Sequence, residues 1–281
     1  MYIPTTTHNL GYLAMNYKFI LSSIVTVLAL SIFYYLDKIN LLAVAVILTY
    51  LTTILVFYST QNRFLKVIGF IIVTMISIGL ILHLIPGFNN IVMYKEIILS
   101  PKSLPFSLWF NFDKIFCLLL LVGYPYPTLS IEERKAIISK VLLIFSLAFM
   151  VLMVIAQFDG YIRFSPKIPT ILFTWMVINF IVVATEEAFF RHFLQKSFMK
   201  CFSKFDYGNF YAITLVAILF GAGHYWGGLT YILFSFVAGL FYGVAVYATQ
   251  RIEASIAVHF LINLTHIIFF TYPALDTIRF S

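Results

Sequence analysis

Apolar runs of about twenty residues recur along almost the whole chain, and this constrains the fold more than any motif does. A run of that length crosses a bilayer as one helix. Nine candidates can be placed: Phe19–Leu36, Leu41–Tyr58, Val67–Ile85, Ile115–Tyr124 with its flanks, Ile137–Phe158, Ile171–Phe193, Phe210–Tyr225, Leu229–Tyr247 and Ile256–Phe270. The expected fold is an all-α polytopic membrane bundle of about eight to nine transmembrane helices. The first run is long enough to span, so it is read as an uncleaved helix rather than a signal peptide. The polar stretches Met1–Lys18, Pro86–Lys114 and Lys196–Asp206 are too short to bury a core of their own.

Charge and cysteine content narrow the function classes. The formal charge is +7, yet lysine and arginine are scattered over loops without a basic tract, which argues against nucleic-acid binding and for topology signals. With nine spans, ten basic residues fall on one side and seven on the other, Arg191 apart, which places the N-terminus and the Lys196–Lys204 loop in the cytoplasm. Cys117 and Cys201 are far apart in sequence and imply neither a disulfide scaffold nor a CxxC metal site. Ser130 followed by Glu133 reads as a capping box, so the pair Glu132-Glu133 is a solvated helix start. Pro101–Trp109, aromatic and broken by proline, is expected at the membrane interface, with Asn111 and Asp113 capping a short helix.

A second glutamate pair is harder to dismiss. Glu186 and Glu187 lie inside the run Ile171–Phe193, where a central acidic side chain costs roughly 2.5–3.5 kcal/mol on insertion scales. Helical spacing separates them. Glu187 and Arg191 are i and i+4, within reach of an ion pair, whereas Glu186 points about 100° away, with Phe190 over its face. A carboxylate beneath an aromatic ring can exchange protons near neutrality, so Glu186 is read as a general base and Glu187–Arg191 as its support. His224 follows Phe220, Gly221 and Gly223, and the hairpin centred near residue 205 puts it at the depth of Glu186. The two glycines leave room for close backbone approach or for substrate. His259 and Asn263 share a helical face and can both donate hydrogen bonds, as an oxyanion requires. His83 and His266 are read as packing residues, and Gly239 with Gly243 as a close helix contact.

The series Glu186-Glu187-x-x-x-Arg191, Phe220-x-x-x-His224 and His259-x-x-x-Asn263 resembles the CPBP (Abi) family of intramembrane endopeptidases, which includes type II CAAX prenyl proteases and bacteriocin-processing or immunity proteins. The resemblance covers about residues 170–270. It implies that residues 166–281 form the catalytic membrane core, while 1–165 supply transmembrane helices of unassigned role. It further implies that Glu186 and His224 activate water, that His259 and Asn263 stabilise the oxyanion, and that Glu187, Arg191 and Phe220 support the site or orient substrate. The chain departs from the pattern at His192, where bacterial relatives often carry glycine, which bears on local packing and substrate access. The substrate is then a membrane-associated protein or peptide, lipidated or CAAX-like, met in the lipid bilayer of the bacterial cytoplasmic membrane. No cofactor is required. A zinc-dependent version using Glu186, Glu187, His224 and His259 is the second choice, since the chain has no HExxH motif. A proton- or cation-coupled transporter, or a non-catalytic immunity or scaffold protein, are the alternatives.

Overall fold

The computed structural model describes residues 7–121 and 129–277. The chain divides into two compact units, one comprising residues 1–90 and 111–128 and the other residues 91–110 and 129–281. The hairpin and helix that precede residue 166 thus belong with the C-terminal region.

The first unit contains α1 (Thr7–Tyr35), α2 (Leu41–Ser59), α3 (Arg63–Ile81) and the short α4 (Phe112–Ile115), which continues into a 3-10 turn over Phe116–Leu121. Asparagine side chains start two of these helices. Asn40 accepts the Ala43 N–H, and Asn62 accepts those of Phe64 and Leu65, filling donors that a helix start leaves open. Between α2 and α3 the buried Tyr50 and Ser77 hydroxyls meet at 2.7 Å. Over its described part, residues 115–121, the predicted fourth span is the end of a single α-helical turn and a 3-10 stretch, and residues 122–128 lie outside the described ones. Asn111 occupies the cap position of α4 without a side-chain bond, while Asp113 is buried and bound to His83 Nδ1 at 2.6 Å. His83 is therefore a hydrogen-bonding partner of Asp113, not simple packing.

The second unit begins with an antiparallel hairpin of β1 (Ile91–Ile97) and β2 (Phe106–Phe110), with Ile91 opposite Phe110 and Ile97 opposite Phe106. The hairpin adds to a chain that is otherwise helical, as expected. Phe106, Leu108 and Phe110 alternate with Ser107 and Trp109, so one face is apolar, and Leu108 enters a core with Ile171, Trp175, Ile178 and Ile267. Then follow α5 (Ile131–Phe158), α6 (Leu172–Glu187), a π-helical stretch (Ala188–Gln195), α7 (Lys196–Cys201), α8 (Gly208–Ala222), a 3-10 turn (Tyr225–Gly227), α9 (Gly228–Thr249) and α10 (Ile252–Phe269). The capping box at Ser130 and Glu133 is formed. Helix α10 packs against α5, α6 and α9, and α8 pairs with α9.

Among the described residues six helices are long and apolar enough to cross a membrane, with two shorter apolar helices at Ile20–Tyr35 and Gly208–Ala222. The protein is a multi-pass integral membrane protein. The six long helices do not by themselves supply the nine spans on which the charge count rested, so that count does not fix an orientation.

Candidate active site

Glu186 and Glu187 are the last two α-helical residues of α6, and the backbone then loosens into the π stretch, all eight residues of which are buried. Helices tolerate such widened turns mainly at functional sites. The small residues opposite allow it: a Cβ on Gly239 would meet Ala217 Cα at 3.2 Å and Arg191 Nη2 at 3.3 Å, and one on Gly243 would meet Gln195 Oε1 at 2.9 Å. The predicted glycine contact is thus formed, and the fully buried Gln195 uses it to donate to the Gly243 carbonyl at 3.0 Å. Phe190 packs edge-on to Phe220, ring centres 5.1 Å apart.

Glu187 is completely buried. Its Oε1 bonds His259 Nδ1 at 2.9 Å, the Ser255 hydroxyl donates to its Oε2, and Arg191 Nε lies 3.4 Å from the same oxygen. The predicted ion pair exists, although it is loose. None of the three guanidinium nitrogens makes a hydrogen bond among the described residues, and Arg191 Cζ sits 5.2 Å from the Phe220 ring centre. Phe220 thus packs on both the arginine and, edge-on at 5.7 Å, the His259 ring.

His224 does not sit inside a helix as expected. Helix α8 has only 15 residues, about 22 Å at 1.5 Å per residue, short of a hydrocarbon core of about 30 Å. Past its end the chain turns through His224 into the 3-10 turn and α9. Irregular backbone at membrane depth is tolerated where it lines a cavity or is buried in protein. His224 Nδ1 lies 2.7 Å from the Phe220 carbonyl, an oxygen that can only accept, so this nitrogen carries the proton and Nε2 keeps its lone pair. The i, i+4 spacing of Phe220 and His224 therefore fixes a tautomer. Gly221 provides the close approach foreseen for it, since a Cβ there would lie 2.8 Å from the Ile232 carbonyl oxygen on α9.

On α10, Ser255, His259 and Asn263 form one face at i, i+4 and i+8. The His259 ring stacks on Tyr242, centres 4.3 Å apart and 15° from parallel. With its Nδ1 proton given to Glu187, the neutral ring offers only a lone pair at Nε2, and it donates there only when a second proton is bound. Asn263 Nδ2 points to Asn179 Oδ1 at 3.4 Å.

Glu186, Phe220, His224, His259 and Asn263 line one cavity of about 370 Å³, together with Asn179, Tyr231, Tyr242 and apolar side chains. Glu187 and Arg191 are not part of its wall. The helical-face reading that separated the two glutamates therefore matches the structure. Of the set named for a zinc-dependent version, Glu186, His224 and His259 line this cavity, while both Glu187 oxygens are bonded to Ser255 and His259. His266 lies at the same wall and bonds the Thr271 carbonyl at 3.1 Å, a structural role. His192 is buried.

Three residues of this site escape a reading based on charge alone. Ser255 was marked by its place one turn before His259, and Asn179 by its place two turns before Glu186. Tyr242 lay between the two glycines with no periodic signal to separate it from packing.

Neither a curated protein nor a solved structure matches the chain. A family model described as type II CAAX prenyl endopeptidase Rce1-like matches residues 168–265, about a third of the chain. That segment runs from the approach to α6 through Asn263 and contains the three motifs that meet at the cavity. Over residues 168–265 the chain is accordingly similar to the Rce1-like type II CAAX prenyl endopeptidases.

Proposed function

We propose that the protein is an intramembrane endopeptidase that cleaves a peptide bond of a membrane-associated protein or peptide, lipidated or CAAX-like, with water activated by Glu186 and His224. The observation that carries this reading is the shared cavity of about 370 Å³, which gathers Glu186, His224, His259 and Asn263 and leaves Glu187 outside. Glu186 takes the proton of the attacking water and returns it to the leaving amine. His224, its Nδ1 proton held by the Phe220 carbonyl, offers the Nε2 lone pair to the same water. The carbonyl oxygen becomes negative as the tetrahedral intermediate forms, and Asn263 Nδ2 and doubly protonated His259 donate to it. Glu187 holds the His259 ring in orientation while Ser255 and Arg191 hold Glu187. No step requires a metal ion. The apolar side of the cavity, with Leu152, Met153, Ile162 and Phe234, suits an aliphatic or lipidated substrate segment. The bacterial cytoplasmic membrane is the compartment we assign.

The test compares Glu186→Gln and His224→Ala with wild type in liposomes, measuring cleavage of a farnesylated C-terminal Cys-aliphatic-aliphatic-X peptide beside cation uptake. Loss of cleavage in both variants, with no uptake by wild type, supports the reading. Wild-type cleavage rates in both variants would overturn it, and uptake abolished by the same substitutions would point to a transporter.

A further inference from the structure

We propose that Asn179 is a positioning residue for Asn263, fixing the carboxamide that donates to the oxyanion; the proposal rests on the proteolytic reading above. Asn179 lies seven residues before Glu186, which at 100° per residue returns it to the same face of α6, and both side chains line the cavity. From α10, Asn263 Nδ2 approaches Asn179 Oδ1 at 3.4 Å. The two residues thus link the helix carrying the proposed base to the helix carrying the proposed oxyanion donor.

The chemistry requires such a link. The terminal torsion of an asparagine is broad and roughly twofold, so a free carboxamide presents its oxygen about as readily as its nitrogen. Presented to an oxyanion, the oxygen would repel where the nitrogen attracts. The cavity wall combines apolar side chains, including Ile262, Val182 and Val183, with the polar Glu186, His259 and His266, and within it Asn263 Nδ2 is directed at the Asn179 carboxamide. An acceptor oxygen on Asn179 makes the choice: it holds one N–H of Asn263 and leaves the second available to substrate. A simple interhelical contact would instead contribute a little to stability and nothing specific to turnover.

Asn179→Leu removes the acceptor at similar volume, and Asn179→Ala serves as a second variant should leucine prevent folding. In the farnesylated-peptide assay each is expected to lower kcat by about 10–100-fold with KM within about threefold, the scale of loss from a misplaced catalytic group. In an Asn263→Ala background the same substitution should add no further loss, because Asn179 acts through Asn263. Additive losses, or an Asn179 variant that turns over like wild type while Asn263→Ala is slow, overturn the proposal. If Asn263→Ala itself cleaves like wild type, the proteolytic reading of Asn263 fails and this one falls with it. A second measurement does not depend on turnover: exchange of the Asn263 side-chain amide protons, identified by their absence in Asn263→Ala, should accelerate in Asn179→Leu. Unchanged exchange would show that the contact does not hold the carboxamide.

Discussion

Replacing Glu187 by glutamine isolates the electrostatic core of the site. The carboxylate accepts from Ser255 and His259 and faces Arg191, all within a fully buried setting. Glutamine keeps one acceptor oxygen and the side-chain volume but removes the charge, so Arg191 becomes an unpaired buried cation. Breaking a buried pair in this way costs about 3–5 kcal/mol. Each lost hydrogen bond to a charged acceptor is worth about 1.5–3 kcal/mol, and glutamine forfeits at least one. Arg191→Met should cost less, because the ion pair is long at 3.4 Å and Glu187 keeps its two other donors. The informative protein is the double variant Glu187→Gln with Arg191→Met, in which neither charge remains. Removing the stranded cation should recover at least half of the loss caused by Glu187→Gln, a coupling of about 1.5 kcal/mol or more. Unfolding by increasing SDS mole fraction in mixed micelles, followed through tryptophan fluorescence, reads this directly, since Trp175 is buried near the start of α6. Losses that simply add in the double variant would refute the claim that the buried charges depend on each other.

Other outcomes follow from the same structure. Glu187→Gln should also slow peptide cleavage by about 10²-fold at nearly unchanged KM, because His259 loses the carboxylate that orients it; an unaltered kcat would remove Glu187 from the site. Gly221→Ala should destabilise the α8–α9 contact by about 1–3 kcal/mol, its Cβ meeting a backbone oxygen at 2.8 Å, whereas Gly223→Ala, whose nearest neighbour is at 3.4 Å, should fall within about 0.5 kcal/mol of wild type. In native protein at pH 8 a maleimide should label the exposed Cys201 and spare Cys117, which is buried and whose thiol burial pushes up to about 12; mass spectrometry showing two labels would contradict this. Burial pulls the Lys167 ammonium, which donates to the Phe270 carbonyl beyond α10, down to about 8 from 10.5. As pH rises from 8 toward 10 the unfolded chain retains this proton longer than the folded one, so wild type should gain stability relative to Lys167→Met over that window, and parallel stability profiles would contradict it.

Much of the site was legible because burying charge in a membrane helix is costly, and the few residues that bear it stand out. Glu186, Glu187, Arg191 and His224 were visible on that ground, and helical phase alone separated the glutamates. The π stretch was not legible, since the pattern Ala188–Gln195 is compatible with an ordinary α-helix and the wider turn depends on the glycines of α9 facing it. The hairpin was missed for a similar reason: strands of seven and five residues with irregular register between prolines carry little periodic signal. The 3-10 stretch over 116–121 was not legible because apolar composition does not distinguish it from the start of a crossing helix. The partner of His259 was not legible either, because Glu187 lies 72 positions away in sequence and only the packing of α6 against α10 brings them together.

The central claim is that Glu186 draws a proton from the water that cleaves the peptide. Single-turnover cleavage of the farnesylated peptide in H₂¹⁸O, with chelator-treated wild type and Glu186→Gln side by side, addresses it most directly. Wild type should place one ¹⁸O in the new carboxylate, and Glu186→Gln should do so at least about 10²-fold more slowly while retaining its fold. Equal rates of ¹⁸O incorporation in the two proteins would contradict the assignment of Glu186 as the base.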